Sequence, residues 1–211
     1  MNYTIIDRDT WKRREYFEHY LKAVPCTYSM TVRLNITRLK QQGFKLYPTM
    51  LYLLTRTVNQ YEQFRTSFRE NGDLVIYSDM HPSYTIFHKD TETFSCIWTE
   101  YSSDYNAFCR SYEQDMLSYG TVEAFNAKPD TPENCFDVSM IPWASFESFH
   151  LHTQGFTHLL PIFTMGKYCE ENGEYYLPLA LQVHHAVCDG FHACRFINTL
   201  QEEIDRLSFK R

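Results

Sequence analysis

Near the C-terminus two adjacent histidines precede an Asp-Gly pair in the run Gln182-Val183-His184-His185-Ala186-Val187-Cys188-Asp189-Gly190-Phe191-His192. This HHxxxDG pattern ends a β-type segment and opens a helix. An imidazole placed where a strand runs out into a turn is partly exposed, titrates near neutrality and can take a proton from a hydroxyl. The pattern therefore points to proton transfer at His184 or His185. Neighbours in an extended segment point to opposite faces, so only one of the two faces a site. A zinc ion held by His184, His185, Asp189 and His192 would need a broken strand. Two histidines that only satisfy core hydrogen bonds are the plain alternative. Asp189 also has two readings: it caps the final helix by accepting free N–H groups, or it aligns the imidazole as the acid of a triad. An ion pair that holds the turn in shape fits the spacing equally.

Other chemistries lack their signatures. No GxSxG elbow is present, and Cys188 sits beside Val187 and Ala186, apolar neighbours that raise a thiol's pKa. Neither GxxxxGK[ST] nor GxGxxG occurs, so the usual phosphate-cradling loops are missing. A general base acting directly on a bound hydroxyl is what the residues leave.

The pattern of apolar residues outlines the elements that must hold that base. A first helix is expected from Trp11 to Lys22, entered from Asp9 or Thr10 and stopped by Pro25. Met30, Val32, Leu34 and Ile36 alternate with polar residues as in a strand with one face on a core. A second helix follows Pro48 and runs toward Phe64. β segments are expected at Leu74 to Tyr77, Tyr84 to His88 and Thr93 to Trp98, then a helix from Asp104 to Tyr119. Further strands are expected at Phe136 to Met140, Ser145 to His152, Ile162 to Tyr168 and Tyr175 to Val187. Glu171-Asn172-Gly173 forms a hairpin turn between the last two. A closing helix spans Phe191 to Leu207. The order predicts an α+β fold, a mixed β-sheet flanked by helices in a two-layer sandwich. No repeat or composition shift divides the chain, so residues 1–211 are expected to form a single domain; Ala127 to Asn134 reads as a surface loop.

With 211 residues, 44% of them hydrophobic and 17% aromatic, the chain can bury one sizeable core. Its net charge of −6 argues against a nucleic-acid partner, whose phosphates call for a basic face. The N-terminus lacks a basic region followed by an apolar run, and no stretch is apolar enough to span a bilayer. No membrane association and a cytoplasmic location are expected. Seven scattered cysteines without a CxxC pair fit reduced thiols, and no metal is expected.

The motif does not stand alone. QVHHAVCDGFH, together with WKRREYFEHY, PCTYS, KLYPTM, TIFHKDTETFS, VSMIPW, FESF and PIFTMGKY, resembles the chloramphenicol acetyltransferases of the HHxxxDG trimeric type. The resemblance runs from Tyr3 to about Ile204 and includes a CoA-dependent acyltransferase-like fold. It implies transfer of acetyl from acetyl-CoA to the 3-hydroxyl of chloramphenicol, an antibiotic-resistance activity, with His185 as general base and no acyl-enzyme. By the same resemblance Ser139 hydrogen-bonds the oxyanion and Thr164 assists through a bound water. Asp189 pairs with Arg13 to fix the turn, while a backbone carbonyl keeps the imidazole's tautomer.

The resemblance further assigns Tyr20, Cys26, Tyr28 and Phe94 to the acceptor pocket, and Lys45, Tyr47, Trp143, Lys167 and Tyr168 to coenzyme contacts. Tyr28 stands where some relatives have phenylalanine. Members of the family are homotrimers with active sites at subunit interfaces, which closed cyclic symmetry makes self-consistent. Two other functions stay open: an acyltransferase with a different hydroxyl or thiol acceptor, and a non-catalytic protein that binds a drug or acyl-CoA.

Overall fold

A computed structural model describes residues 1–151 and 157–208. Its first half comprises β1 (Tyr3–Ile5), α1 (Arg14–Glu18), β2 (Thr27–Asn35), α2 (Thr37–Gln41), α3 (Leu46–Val58), β3 (Thr66–Phe68), β4 (Leu74–Tyr77), β5 (His81–His88) and β6 (Thr93–Trp98). The second half adds α4 (Tyr105–Tyr119), β7 (Cys135–Ile141), β8 (Ile162–Gly166), β9 (Cys169–Glu171), β10 (Glu174–His184) and α5 (Gly190–Arg206). The main sheet runs β2-β10-β8-β7-β5-β6, with β9 pairing the start of β10, while β1, β4 and β3 make a small second sheet. β7 is parallel to β5 and β8, and β10 is antiparallel to β2 and β8, so the main sheet is mixed. Helices α3, α4 and α5 pack on it, which makes the expected α+β arrangement of a mixed sheet flanked by helices.

The strand registers give the sheet two different faces. One row aligns Val138, Phe163, Leu181 and Met30, and α5 closes on it by stacking Phe196 over Phe163 at 5.3 Å and Phe64 at 4.4 Å. The next row aligns Ser139, Thr164, Ala180 and Thr31, small and polar, on the opposite face. β10 carries buried residues from Leu177 to His184, as suits a strand flanked on both sides. Pro178, which has no N–H to donate, falls in the gap between the residues that β9 pairs and those that β8 pairs. The Asn172-Gly173 turn takes positive φ at both residues, 54° and 84°, which fits the hairpin expected there.

Helix α3 buries ten of its thirteen residues, among them Thr55 and Thr57, whose hydroxyls donate to the carbonyls of Leu51 and Leu53. It begins at Leu46, so Pro48 lies inside the first turn, where a missing N–H still costs nothing. It stops at Val58, and a separate 3₁₀ turn covers Glu62–Phe64. The first helix departs further from expectation. Asp7, and neither Asp9 nor Thr10, organises the entry by accepting the Asp9 N–H and the Thr10 hydroxyl. α1 then gives way to a π-helical segment, His19–Ala23, ended by the Val24 N–H reaching back to the His19 carbonyl.

The strand expected over Ser145 to His152 does not form. His152 lies outside the described residues, and the rest is irregular backbone laid against the polar face of the sheet. There Phe149 N–H donates to Thr31 Oγ1 and Leu151 N–H to Gln182 Oε1, side-chain acceptors in place of a ladder. Phe146 packs over Gly166 so closely that a Cβ there would meet its ring at 2.8 Å and Pro178 at 2.8 Å. Four short elements, β1, α2, β3 and β9, were not anticipated; the strand expected over Ile162 to Tyr168 ends at Gly166, and it is β9 that the hairpin joins to β10.

Candidate active site

The end of β10 separates the two histidines as an extended segment requires. His184 turns inward, 3% exposed, and its Nδ1 accepts the N–H of Ala186; burial, together with the neighbouring His185 and His158, holds its pKa below the usual imidazole range. His185 faces outward with 28% of its side chain exposed. Its backbone N–H donates to the Cys26 carbonyl at 2.9 Å, tying the turn to the start of β2. Tyr20, carried into place by the π-helical segment, stacks on the imidazole with ring centres 3.9 Å apart and planes 5° from parallel. Tyr28 meets the imidazole edge-on at 5.5 Å, and its hydroxyl donates to the Cys188 carbonyl at 3.3 Å. Burial pushes the Tyr28 hydroxyl well above its ordinary pKa, so it stays protonated.

Arg13 lies immediately before α1 and grips the turn from the other side. Its Nη1 and Nη2 donate to the two Asp189 carboxylate oxygens at 2.7 and 2.6 Å, the bidentate geometry a guanidinium prefers. Nε donates to the Ala186 carbonyl at 2.7 Å and Nη2 also to the His185 carbonyl at 2.9 Å. These hydrogen bonds hold the Asp189 carboxyl below its ordinary pKa. Asp189 serves several ends at once. It precedes α5 in a capping box, it pairs with Arg13, and its Oδ1 lies 3.2 Å from His185 Nδ1. That last contact is close but off the hydrogen-bond direction: Nδ1 is buried and meets no hydrogen-bond partner among the described residues, neither the carboxylate nor a backbone carbonyl. With Nδ1 buried, the exposed part of the ring includes the Nε2 edge, the side from which a proton could be taken. Cys188 is buried, and its thiol is pushed up to about 12, which leaves it a poor nucleophile.

A second group of expected residues lies elsewhere. Ser139 on β7 and Thr164 on β8 stand side by side, Oγ to Oγ1 at 3.1 Å. Ser139 borders a cleft of about 660 Å³ walled by Tyr47, Phe87, Phe94, Tyr112 and Trp143. Trp143 and Phe94 are exposed there, the tryptophan edge-on to Phe87 at 4.6 Å. Tyr47 is anchored by its hydroxyl to the Thr85 carbonyl. Tyr47, Phe94 and Trp143 thus share one cleft, although the resemblance divides them between acceptor and coenzyme, and Phe94 lies apart from Tyr20, Cys26 and Tyr28.

Lys45 is exposed and paired with Glu113 at 2.8 Å. Lys167 is exposed, with its backbone N–H on Ala144. Tyr168 receives Lys40, whose ammonium sits 4.4 Å from the ring centre and donates to the hydroxyl at 3.1 Å. Neither Lys40 nor Glu113 was anticipated, since nothing local in the sequence marks either.

The two groups cannot meet within one chain. Ser139 pairs with Thr164, and Thr164 with Ala180, four residues before His184. Two strand spacings, about 10 Å, and four residues of rise, about 13 Å, put the His184 backbone roughly 16 Å from that of Ser139.

A family model described as chloramphenicol acetyltransferase matches residues 1–201. A chloramphenicol acetyltransferase of Vibrio anguillarum is 57% identical over 208 residues, 98% of this chain and 96% of that one. Another, of Campylobacter coli, is 55% identical over 207 residues, 98% of this chain and all of the other. A solved chloramphenicol acetyltransferase structure superposes with a TM-score of 0.82 over 96% of this chain and all of that one; at 21% identity it speaks to the fold. The match along nearly the full length places this chain in the chloramphenicol acetyltransferase family.

Proposed function

We propose that this chain transfers acetyl from acetyl-CoA to the 3-hydroxyl of chloramphenicol and so inactivates the antibiotic. Family membership over nearly the whole of both chains carries this reading. His185 acts as the base through Nε2. It takes the proton of the acceptor hydroxyl while that oxygen bonds to the thioester carbonyl carbon, and the tetrahedral species then expels the coenzyme thiolate, which receives the proton. No covalent acyl-enzyme is required. The buried, high-pKa thiol of Cys188 supports that view, as it is the cysteine nearest the base in sequence.

Ser139 donates to the developing oxyanion, with Thr164 beside it acting through a bound water. Arg13 and Asp189 are positioning residues that hold the turn carrying the imidazole. Tyr20, Cys26, Tyr28 and Phe94 shape the acceptor pocket. Lys45, Tyr47, Trp143, Lys167 and Tyr168 contact the coenzyme.

The distance between His185 and Ser139 within one chain favours an active site shared between copies, the base from one and the oxyanion donor from its neighbour. We assign a homotrimer on that ground and on family kinship, each chain contributing as a single domain. A cytoplasmic location suits the seven free cysteines, and no helix among the described residues is long and apolar enough to cross a membrane.

The test mixes purified protein with acetyl-CoA and chloramphenicol and follows released thiol, beside a panel of other alcohols and dihydrolipoamide. Thiol release with chloramphenicol, lowered about 10²–10⁴-fold in His185→Ala with both ligands still bound, is expected. Release with another acceptor but not with chloramphenicol would overturn the assignment.

A further inference from the structure

His192 belongs to none of the roles above, yet it is built into the turn that carries the base. It is the third residue of α5, and its side chain is 17% exposed. Its Nδ1 accepts the backbone N–H of Asp189 at 3.0 Å. Asp189 is the residue before the helix, so its N–H lies outside the intrahelical ladder and needs a side-chain partner. A glutamate or glutamine usually fills this half of a capping box; here an imidazole does. The reciprocal half runs from the His192 N–H to the Asp189 carboxylate, both of whose oxygens Arg13 also holds. The bond at Nδ1 therefore fixes the backbone of the same aspartate whose side chain Arg13 grips.

An imidazole that accepts at Nδ1 must be neutral and carry its proton on Nε2. Protonation would set one N–H against another and end the bond. The groups facing the ring are Asp189, whose Oδ2 lies 3.7 Å from Nδ1, and Arg13 and Arg195, which both disfavour a second positive charge. His185 stands on the far side of the same carboxylate. A charged His192 would turn toward Asp189 Oδ2 and compete with Arg13 for it.

We infer that His192, as the neutral Nε2–H tautomer, is a positioning residue that latches Asp189 and with it the turn presenting His185, and that the latch opens when His192 is protonated. The inference rests on the acetyltransferase reading for its catalytic consequence and on geometry alone for the latch.

Two measurements test it. In the full-length protein with ¹⁵N-labelled histidine, the His192 ring should show an unprotonated Nδ1 and a protonated Nε2 at pH 7.5; a proton on Nδ1 overturns the latch whether or not the protein acetylates anything. In the thiol-release assay, His192→Leu should lower kcat about tenfold with KM values within twofold, whereas His192→Asn, whose side-chain oxygen can accept the same N–H, should stay within about threefold of wild type. The wild type should lose kcat more steeply than His192→Asn between pH 6.5 and 5, because only it has a second proton to bind. Equal impairment of the two variants, or parallel acid limbs, would overturn the proposal. A wild type that acetylates other acceptors but not chloramphenicol would count against the function assigned above, with the same comparison then made on that acceptor.

Discussion

Replacing Arg13 by alanine removes four hydrogen bonds at once, and their geometry sets the size of the loss. Two reach the Asp189 carboxylate at 2.6 and 2.7 Å, and two reach the carbonyls of Ala186 and His185 at 2.7 and 2.9 Å. The arginine side chain is 16% exposed and the aspartate 37%. Stripping one partner from a fully buried pair costs about 3–5 kcal/mol, while exposed pairs are worth about 0–1 kcal/mol. With one partner nearly buried and the other over a third exposed, the expected loss is about 2–3 kcal/mol. In a chain of this length that lowers the thermal midpoint by about 4–12 °C. Arg13→Lys keeps the charge but not the planar fork, and should lose about half as much. A double-mutant cycle with Asp189→Asn should return a coupling of about 1–3 kcal/mol.

The acid side of the stability profile provides a second readout. Arg13 depresses the folded pKa of Asp189, so this stabilisation is complete above the unfolded carboxylate pKa of about 3.9 and is lost as pH falls through the lower folded value. Arg13→Ala should flatten that part of the curve. Urea melts from pH 2 to 7 read both effects. An unchanged midpoint at pH 7, or an unchanged acid limb, would refute the claim that Arg13 braces the turn.

Ser139→Ala should lower kcat about 10²–10³-fold with little change in either KM, because an oxyanion donor acts on charge that develops only in the transition state; a change confined to KM would remove it from that role. Phe196→Ala, which empties the stack over Phe163 and Phe64, should cost about 3–5 kcal/mol in urea unfolding. Gly166→Ala forces a methyl against Phe146 and Pro178, so about 1–3 kcal/mol of destabilisation is expected, and wild-type stability would mean that the Phe146 segment yields easily.

What the sequence disclosed tracks how locally each feature is encoded. The Asn172-Gly173 turn, helix α4 behind its Asp104 cap and the strand-turn-helix around His185 all carry their signals in adjacent residues, and each forms. Ser145 to Leu151 carried a misleading one. It reads as a strand, but its phenylalanines stand three residues apart, Phe146 and Phe149 pack against each other at 5.4 Å, and the backbone donates to Thr31 and Gln182 on other strands. Strands of three residues, such as β1 and β3, are too short for any period to show. The π-helical segment that lays Tyr20 on His185 leaves no mark in the pattern of apolar residues. Likewise Arg13 reads locally as one charge among several near a helix start; the family resemblance pairs it with Asp189, and the fold supplies the bidentate contact.

The brace around the turn that carries His185 joins residues 173 positions apart in the chain. At about 5–20 residues per second, a ribosome needs roughly 9–35 s to travel from one end of that contact to the other. For most of that interval β2 exists without β10, so its edge stays open to other strands. A polypeptide cut short before β10 would keep that exposed edge permanently, and is the species that chaperones and proteases should single out.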